Sequence, residues 1–245
     1  MMQPADKRRF FHATLYPSLF TFILLMIKLI EELFNTSFYE WGMLPRTVSG
    51  LFKGVLCMPL IHSDWSHLFS NIVALWTLGF LLIFFYRPIH FKIFWFIFFG
   101  SGVFTWLFGR SGYHVGASGI VYGLVSFLFL SGILRKHIHL MSVSALTVLF
   151  YGSIVWGIFP IALQLSWEGH LGGFMTGVLL ALFYRNKGPQ PPVFKWTNDP
   201  HLEHNEWQLT DNDAISLQND KTKSDEIDSA KQLKINYEYK SLKEK

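Results

Sequence analysis

Ser118 stands among small residues in the run Gly116-Ala-Ser118-Gly119, His170 follows Glu168 and Gly169 at the head of another apolar run, and His62, His67 and Asn71 mark a third. A hydroxyl with an imidazole in reach is the nucleophile and base of acyl transfer, and further N–H donors aimed at the same point would hold the oxyanion that forms. Each island alone has a plainer explanation: small residues pack helices, histidines sit at interfaces, and an amide can bond a neighbouring backbone. Three of them at one depth call for a chemical one, because polar groups are costly to keep in apolar surroundings.

The elements that must position these groups are helices in a bilayer. The chain is 51% hydrophobic and 18% aromatic with only 16% charged residues, so it needs lipid around it. A hydrocarbon core about 30 Å thick is crossed by about 17 to 25 helical residues. Six runs meet or approach that length, at about 14–33, 67–86, 91–108, 118–134, 141–159 and 170–184. The sixth is short and glycine-rich, which suits a helix enclosed by the others. The reading is an all-α polytopic membrane protein, with a short N-terminal segment 1–13, a six-helix domain 14–186 and a tail 187–245. Lys7, Arg8, Arg9, Arg87, Lys92, Arg135, Lys136, Arg185 and Lys187 flank one side, against Arg46, Lys53 and Arg110 on the other. Basic loops stay in the cytoplasm, so both termini are expected there and all three islands near the outer face. The basic lead before the first run resembles a secretory signal, but the run is too long and no small-x-small site follows, so it is read as an uncleaved anchor.

Ser118 at the mouth of the fourth helix would lie beside backbone N–H groups that have no intrahelical acceptor, at the positive end of the helix dipole. Gly119 and Gly123 on the fourth helix and Gly169, Gly173 and Gly177 on the sixth remove side-chain bulk, so the two backbones can approach and bring Ser118 to His170. His67 and Asn71, four apart, lie about 40° apart on one helical face and can aim donors at one oxygen. His62 precedes the helix as a supporting residue, and Tyr122, one turn below Ser118, can either pack under the His170 ring and hold its orientation or simply fill the bundle. Asp64 reads as a loop or helix-cap carboxylate and Glu168 as facing away, so a Ser-His dyad is favoured over a triad. A metal site of His62, His67 and His170 is disfavoured, since the five-residue gap turns the first two about 140° apart.

Together these motifs resemble the rhomboid family of intramembrane serine proteases. The resemblance rests on His62, His67 and Asn71, on Gly116-Ala-Ser118-Gly119-Ile-Val-Tyr122-Gly123, and on His170-Leu-Gly-Gly173-Phe-Met-Thr-Gly177. It implies a six-transmembrane-helix rhomboid-like bundle in a bacterial plasma membrane, with Ser118 as nucleophile and His170 as base. His67, Asn71 and the Ser118 N–H would serve the oxyanion. Substrates would be transmembrane helices cleaved near the outer face, with the loop 160–167 as a lid and no metal or organic cofactor. The alternative is a catalytically silent relative that binds client transmembrane helices. One departure is that Trp41 and Arg46 are separated here, where many members have Trp-Arg adjacent.

The connection 35–66 is long enough to carry structure of its own, and its apolar residues place it in the outer interface. The tail is rich in Pro, Asn, Asp, Lys and Glu and reads as largely disordered, with a strand-like alternation only at 233–239. Cys57 is the single cysteine, so no intrachain disulfide can form. The formal charge of +4 gives no support for nucleic-acid binding.

Overall fold

The computed structural model describes residues 4–161 and 166–191. Among the described residues there are six long helices: α1 (Pro4–Leu33), α2 (Trp65–Phe85), α3 (His90–Phe108), α4 (Ser118–Arg135), α5 (Ile138–Tyr151) and α6 (Trp167–Phe183). Five helical stretches among the described residues are long and apolar enough to cross a membrane, the fifth being α5 with the turn that follows it. The 17 residues of α6 fall just short. Among the described residues there is no strand, only one antiparallel bridge between Met43 and His114. The expected polytopic helical architecture therefore holds, and the differences lie at helix ends. Helix α1 begins at Pro4 rather than at residue 14; proline is tolerated in a first turn, and the helix also carries Pro17 in its interior. Helix α6 begins at Trp167 and not at His170, which leaves His170 on its first turn.

Apolar side chains in lipid gain little by clustering, so close fit and internal hydrogen bonds decide the packing. Helix α6 packs mainly on α4 and α3, α1 on α2, and α5 on α4. Leu78, Leu82, Ile93, Ile97, Leu124, Phe127 and Leu128 fill the centre. Phe22, Phe96, Phe108, Leu149 and Phe183 face outward, a surface only a bilayer covers well. The glycine faces meet between α4 and α6. A Cβ on Gly173 would overlap the Gly119 carbonyl, and one on Gly177 would overlap the Gly123 carbonyl and the Ser126 hydroxyl. Ser126 Oγ donates to the Phe174 carbonyl (2.9 Å), a direct bond between the two helices. At the far end Arg135 on α4 donates to Ser131 Oγ (2.9 Å), the Pro189 carbonyl (2.9 Å) and the Tyr184 carbonyl (2.5 Å), which holds the exit of α6.

Two connections shape the other end. Between α1 and α2 the chain makes short helical turns at Tyr39–Trp41, Gly50–Gly54, Val55–Cys57 and Met58–Leu60. These present Trp41, Val48, Phe52 and Leu56 outward. Helix α5 stops at Tyr151 and tightens into a 3-10 turn, Gly152–Ile158, so the fifth run is not one regular helix to residue 159. That tightening brings Gly157 to the centre of the site. Of the expected lid, residues 162–165 lie outside the described residues, as does the tail from 192, including 233–239.

Candidate active site

Ser118 is the first residue of α4 and His170 lies in the first turn of α6. The glycine contact lets the helices come together at this level, and Ser118 Oγ stands 2.8 Å from His170 Nε2. His170 Nδ1 is 2.9 Å from the Gly157 carbonyl. A carbonyl can only accept, so Nδ1 carries the proton, and the neutral ring leaves Nε2 bare to accept from the Ser118 hydroxyl. The imidazole is thus oriented by a backbone oxygen instead of a carboxylate. Tyr122 stacks on the same ring, with centroids 4.3 Å apart and planes 9° from parallel. Its hydroxyl donates to the Ile154 carbonyl (2.6 Å), which ties the stack to the turn that bears Gly157.

The opposite wall comes from the turn before α2. Asp64 is the N-cap of that helix, its Oδ1 accepting from the His67 N–H at 2.8 Å, the arrangement that satisfies an orphan donor of the first turn. The His67 ring lies over Gly116, where a Cβ would come within 2.6 Å of Cε1 and 2.8 Å of Nε2. Gly116 also has φ of +114°, so both conformation and space require glycine. The Ser63 hydroxyl stands between Asp64 Oδ2 (2.8 Å) and His67 Nδ1 (3.2 Å). The carboxylate can only accept, so Ser63 donates to Asp64 and is left to accept from His67 Nδ1–H. Asn71 is buried and gives one amide N–H to the His67 carbonyl (2.9 Å), so part of its donor capacity is used within its own helix.

His62 is almost fully buried; its Nε2 faces the Ala117 N–H at 3.4 Å, and its ring meets His67 edge-on at 5.1 Å. Burial first, then the neighbouring His67, push its pKa down from 6.5 to about 3. The folded protein keeps this ring neutral where the unfolded chain takes a proton. Its favourable contribution is therefore complete above about pH 6.5 and is lost as pH falls toward 3. We expect thermal stability in micelles to decline from pH 6.5 to pH 4. In His62→Gln the acid slope should be shallower, by up to about 1.4 kcal/mol per pH unit. An unchanged slope in that variant would contradict this role for the ring.

Glu168 faces away from the dyad toward Arg110: its Oε1 accepts from the Arg110 backbone N–H (3.2 Å) and lies 3.5 Å from the guanidinium Nε. The structure adds two groups that residue types did not point to. Gly157 acts through its carbonyl and has no side chain to notice. His114, buried, reaches Ser166 Oγ with Nδ1 (2.6 Å) and the Arg110 carbonyl with Nε2 (3.0 Å), fastening the loop before Ser118 to the start of α6. Its position two residues before Gly116 is the one signal the sequence held. Among the described residues no group of three or more His, Cys, Asp or Glu side chains is placed to hold a metal ion.

The family model of the Rhomboid domain matches residues 49–187. Similar curated proteins include uncharacterized proteins of Mycobacterium tuberculosis and Mycobacterium bovis, each 35% identical over 179 residues, covering 66% of this chain and 71% of the relative. An uncharacterized protein of Mycobacterium leprae is 32% identical over 174 residues, covering 66% of this chain and 67% of the relative.

Proposed function

Because the chain belongs to the rhomboid family, we propose that it is an intramembrane serine endopeptidase that cleaves transmembrane-helix substrates near the outer membrane face. The observation that carries this reading is the 2.8 Å contact between Ser118 Oγ and His170 Nε2, with Nδ1 held by the Gly157 carbonyl. The Ser118 proton passes to Nε2 as Oγ attacks the scissile carbonyl carbon. The oxyanion is met by the Ser118 N–H, at a helix mouth where that donor has no intrahelical acceptor, and by the His67 side chain and the Asn71 amide. The imidazolium returns its proton to the leaving amine, the C–N bond breaks, and an acyl-enzyme remains on Ser118. A water, deprotonated by His170, then attacks the ester carbon, the bond to Ser118 Oγ breaks, and the imidazolium returns its proton to Oγ as the second product leaves. Tyr122 and the Gly157 carbonyl hold the ring in one orientation through both steps. Gly116, Gly119, Gly173 and Gly177 make the close approach possible.

The charge pattern supports an orientation with both termini in the cytoplasm, which sets the dyad near the outer face, and we place the protein in a bacterial plasma membrane. Water then reaches it without crossing the hydrocarbon, and a substrate helix must unwind locally to present an extended bond. The direct test is a fluorophosphonate probe on the purified protein. It should label one serine, Ser118, identified by peptide mass, and labelling should vanish in His170→Ala. Absence of labelling in the wild type, with normal insertion, would favour a silent binder of client helices.

A further inference from the structure

Two of the charged side chains near the dyad-side end of α1, Lys28 and Glu31, are largely buried, and the catalytic reading does not use them. Lys28 Nζ and Glu31 Oε2 form an ion pair at 3.2 Å, with only 13% and 7% of the side chains exposed. Such a pair is costly to bury unless its remaining hydrogen-bonding positions are also filled. Both are filled from the connection between α1 and α2. Glu31 Oε1 accepts from the Phe38 N–H (2.7 Å), near the start of that connection. Lys28 Nζ donates to the carbonyls of His62 (3.1 Å) and Ser63 (3.3 Å), at its end.

That end is the turn from which the wall opposite the dyad is built. Ser63 Oγ reaches His67 Nδ1, Asp64 caps the His67 N–H, and His62 faces the Ala117 N–H one residue before the nucleophile. An ammonium shared by two consecutive carbonyls fixes the backbone of this turn, from which the His62 ring projects and to which His67, on the first turn of α2, is tied through Ser63 and Asp64. We propose that Lys28, oriented by Glu31, is a positioning residue: it holds the turn at 62–63 so that His67 rests over Gly116 beside Ser118. Neither residue lies within the 49–187 stretch that matches the family model, so the first helix contributes to the site as well as to anchoring. The catalytic consequence rests on the protease reading; the structural clamp does not.

The test uses the full chain in proteoliposomes with a transmembrane substrate. Lys28→Met should lower kcat by up to about 100-fold with KM little changed, since Lys28 misplaces donors without touching substrate. Lys28→Arg, which can still donate to both carbonyls, should recover most of the rate. Glu31→Gln, which keeps an acceptor for the Phe38 N–H, should lose less than Lys28→Met. In parallel, amide hydrogen exchange in Lys28→Met should quicken in peptides covering 59–68 while α4 and α6 keep their protection. Wild-type kcat in Lys28→Met, a change confined to KM, or equal loosening of α4 and α6 would each overturn the proposal. Were the wild type neither to cleave nor to label Ser118, the protease reading would fail by itself. Exchange at 59–68 would still decide whether Lys28 holds the turn.

Discussion

Ser118→Ala should reduce cleavage of a transmembrane substrate by roughly 10⁴-fold or more, because the covalent route disappears and only the oxyanion donors and substrate positioning remain. The same substitution should leave folding nearly intact. The hydroxyl makes one hydrogen bond, to His170, and losing one such bond costs about 1 kcal/mol. The measurement pairs fragment appearance in proteoliposomes with a thermal melt in the same lipid. Cleavage at the wild-type rate by Ser118→Ala would end the protease reading, whatever the melt showed. If both rate and melt collapsed, the loss would be one of folding, and Ser118→Thr or Ser118→Cys would be needed to separate the two. In those variants a nucleophilic atom remains and the melt should recover.

Gly173→Val is the substitution expected to do most damage away from the reacting atoms. Its Cβ alone would overlap the Gly119 carbonyl, which is backbone and cannot turn aside. Helix α6 must then shift away from α4, and a shift of 1 Å already takes His170 Nε2 beyond hydrogen-bond reach of Ser118 Oγ. We expect a stability loss of about 3 kcal/mol or more, together with loss of probe labelling at Ser118. Gly152→Ala is the matching control. A Cβ there meets only Val148 Cγ1, at 3.4 Å, so melt and labelling should both stay near wild type. Full labelling in Gly173→Val would mean that the close helix contact does not position the dyad.

The helices were legible because the bilayer imposes the rule that makes them so. Every spanning backbone must bond internally over a fixed thickness, so an apolar run of the right length can only be a helix, as for α2, α3 and α4. Asp64 was legible as a loop or cap carboxylate because capping is local, and the structure selects the cap, with the side chain bonding an N–H three residues on. The glycine spacing on α4 and α6 was legible because absent side chains have one strong use in lipid, close approach.

What was hidden depends on atoms or distances that residue identity does not encode. Gly157 orients His170 through a carbonyl, and every residue has one. Only the tightening of the chain after Tyr151 selects this one. Lys28 finds the His62 carbonyl across 34 residues of chain, and His114 finds Ser166 across 52, pairings that follow from how the connections lie over the helix ends. The sequence by itself determined which segments span and which side chains can do chemistry, because hydrophobic length and functional-group type are local properties. Tertiary structure alone decided which nitrogen of His170 is free to take a proton and which charges brace the turn beneath His67. Those depend on backbone groups from separate elements meeting within hydrogen-bond reach.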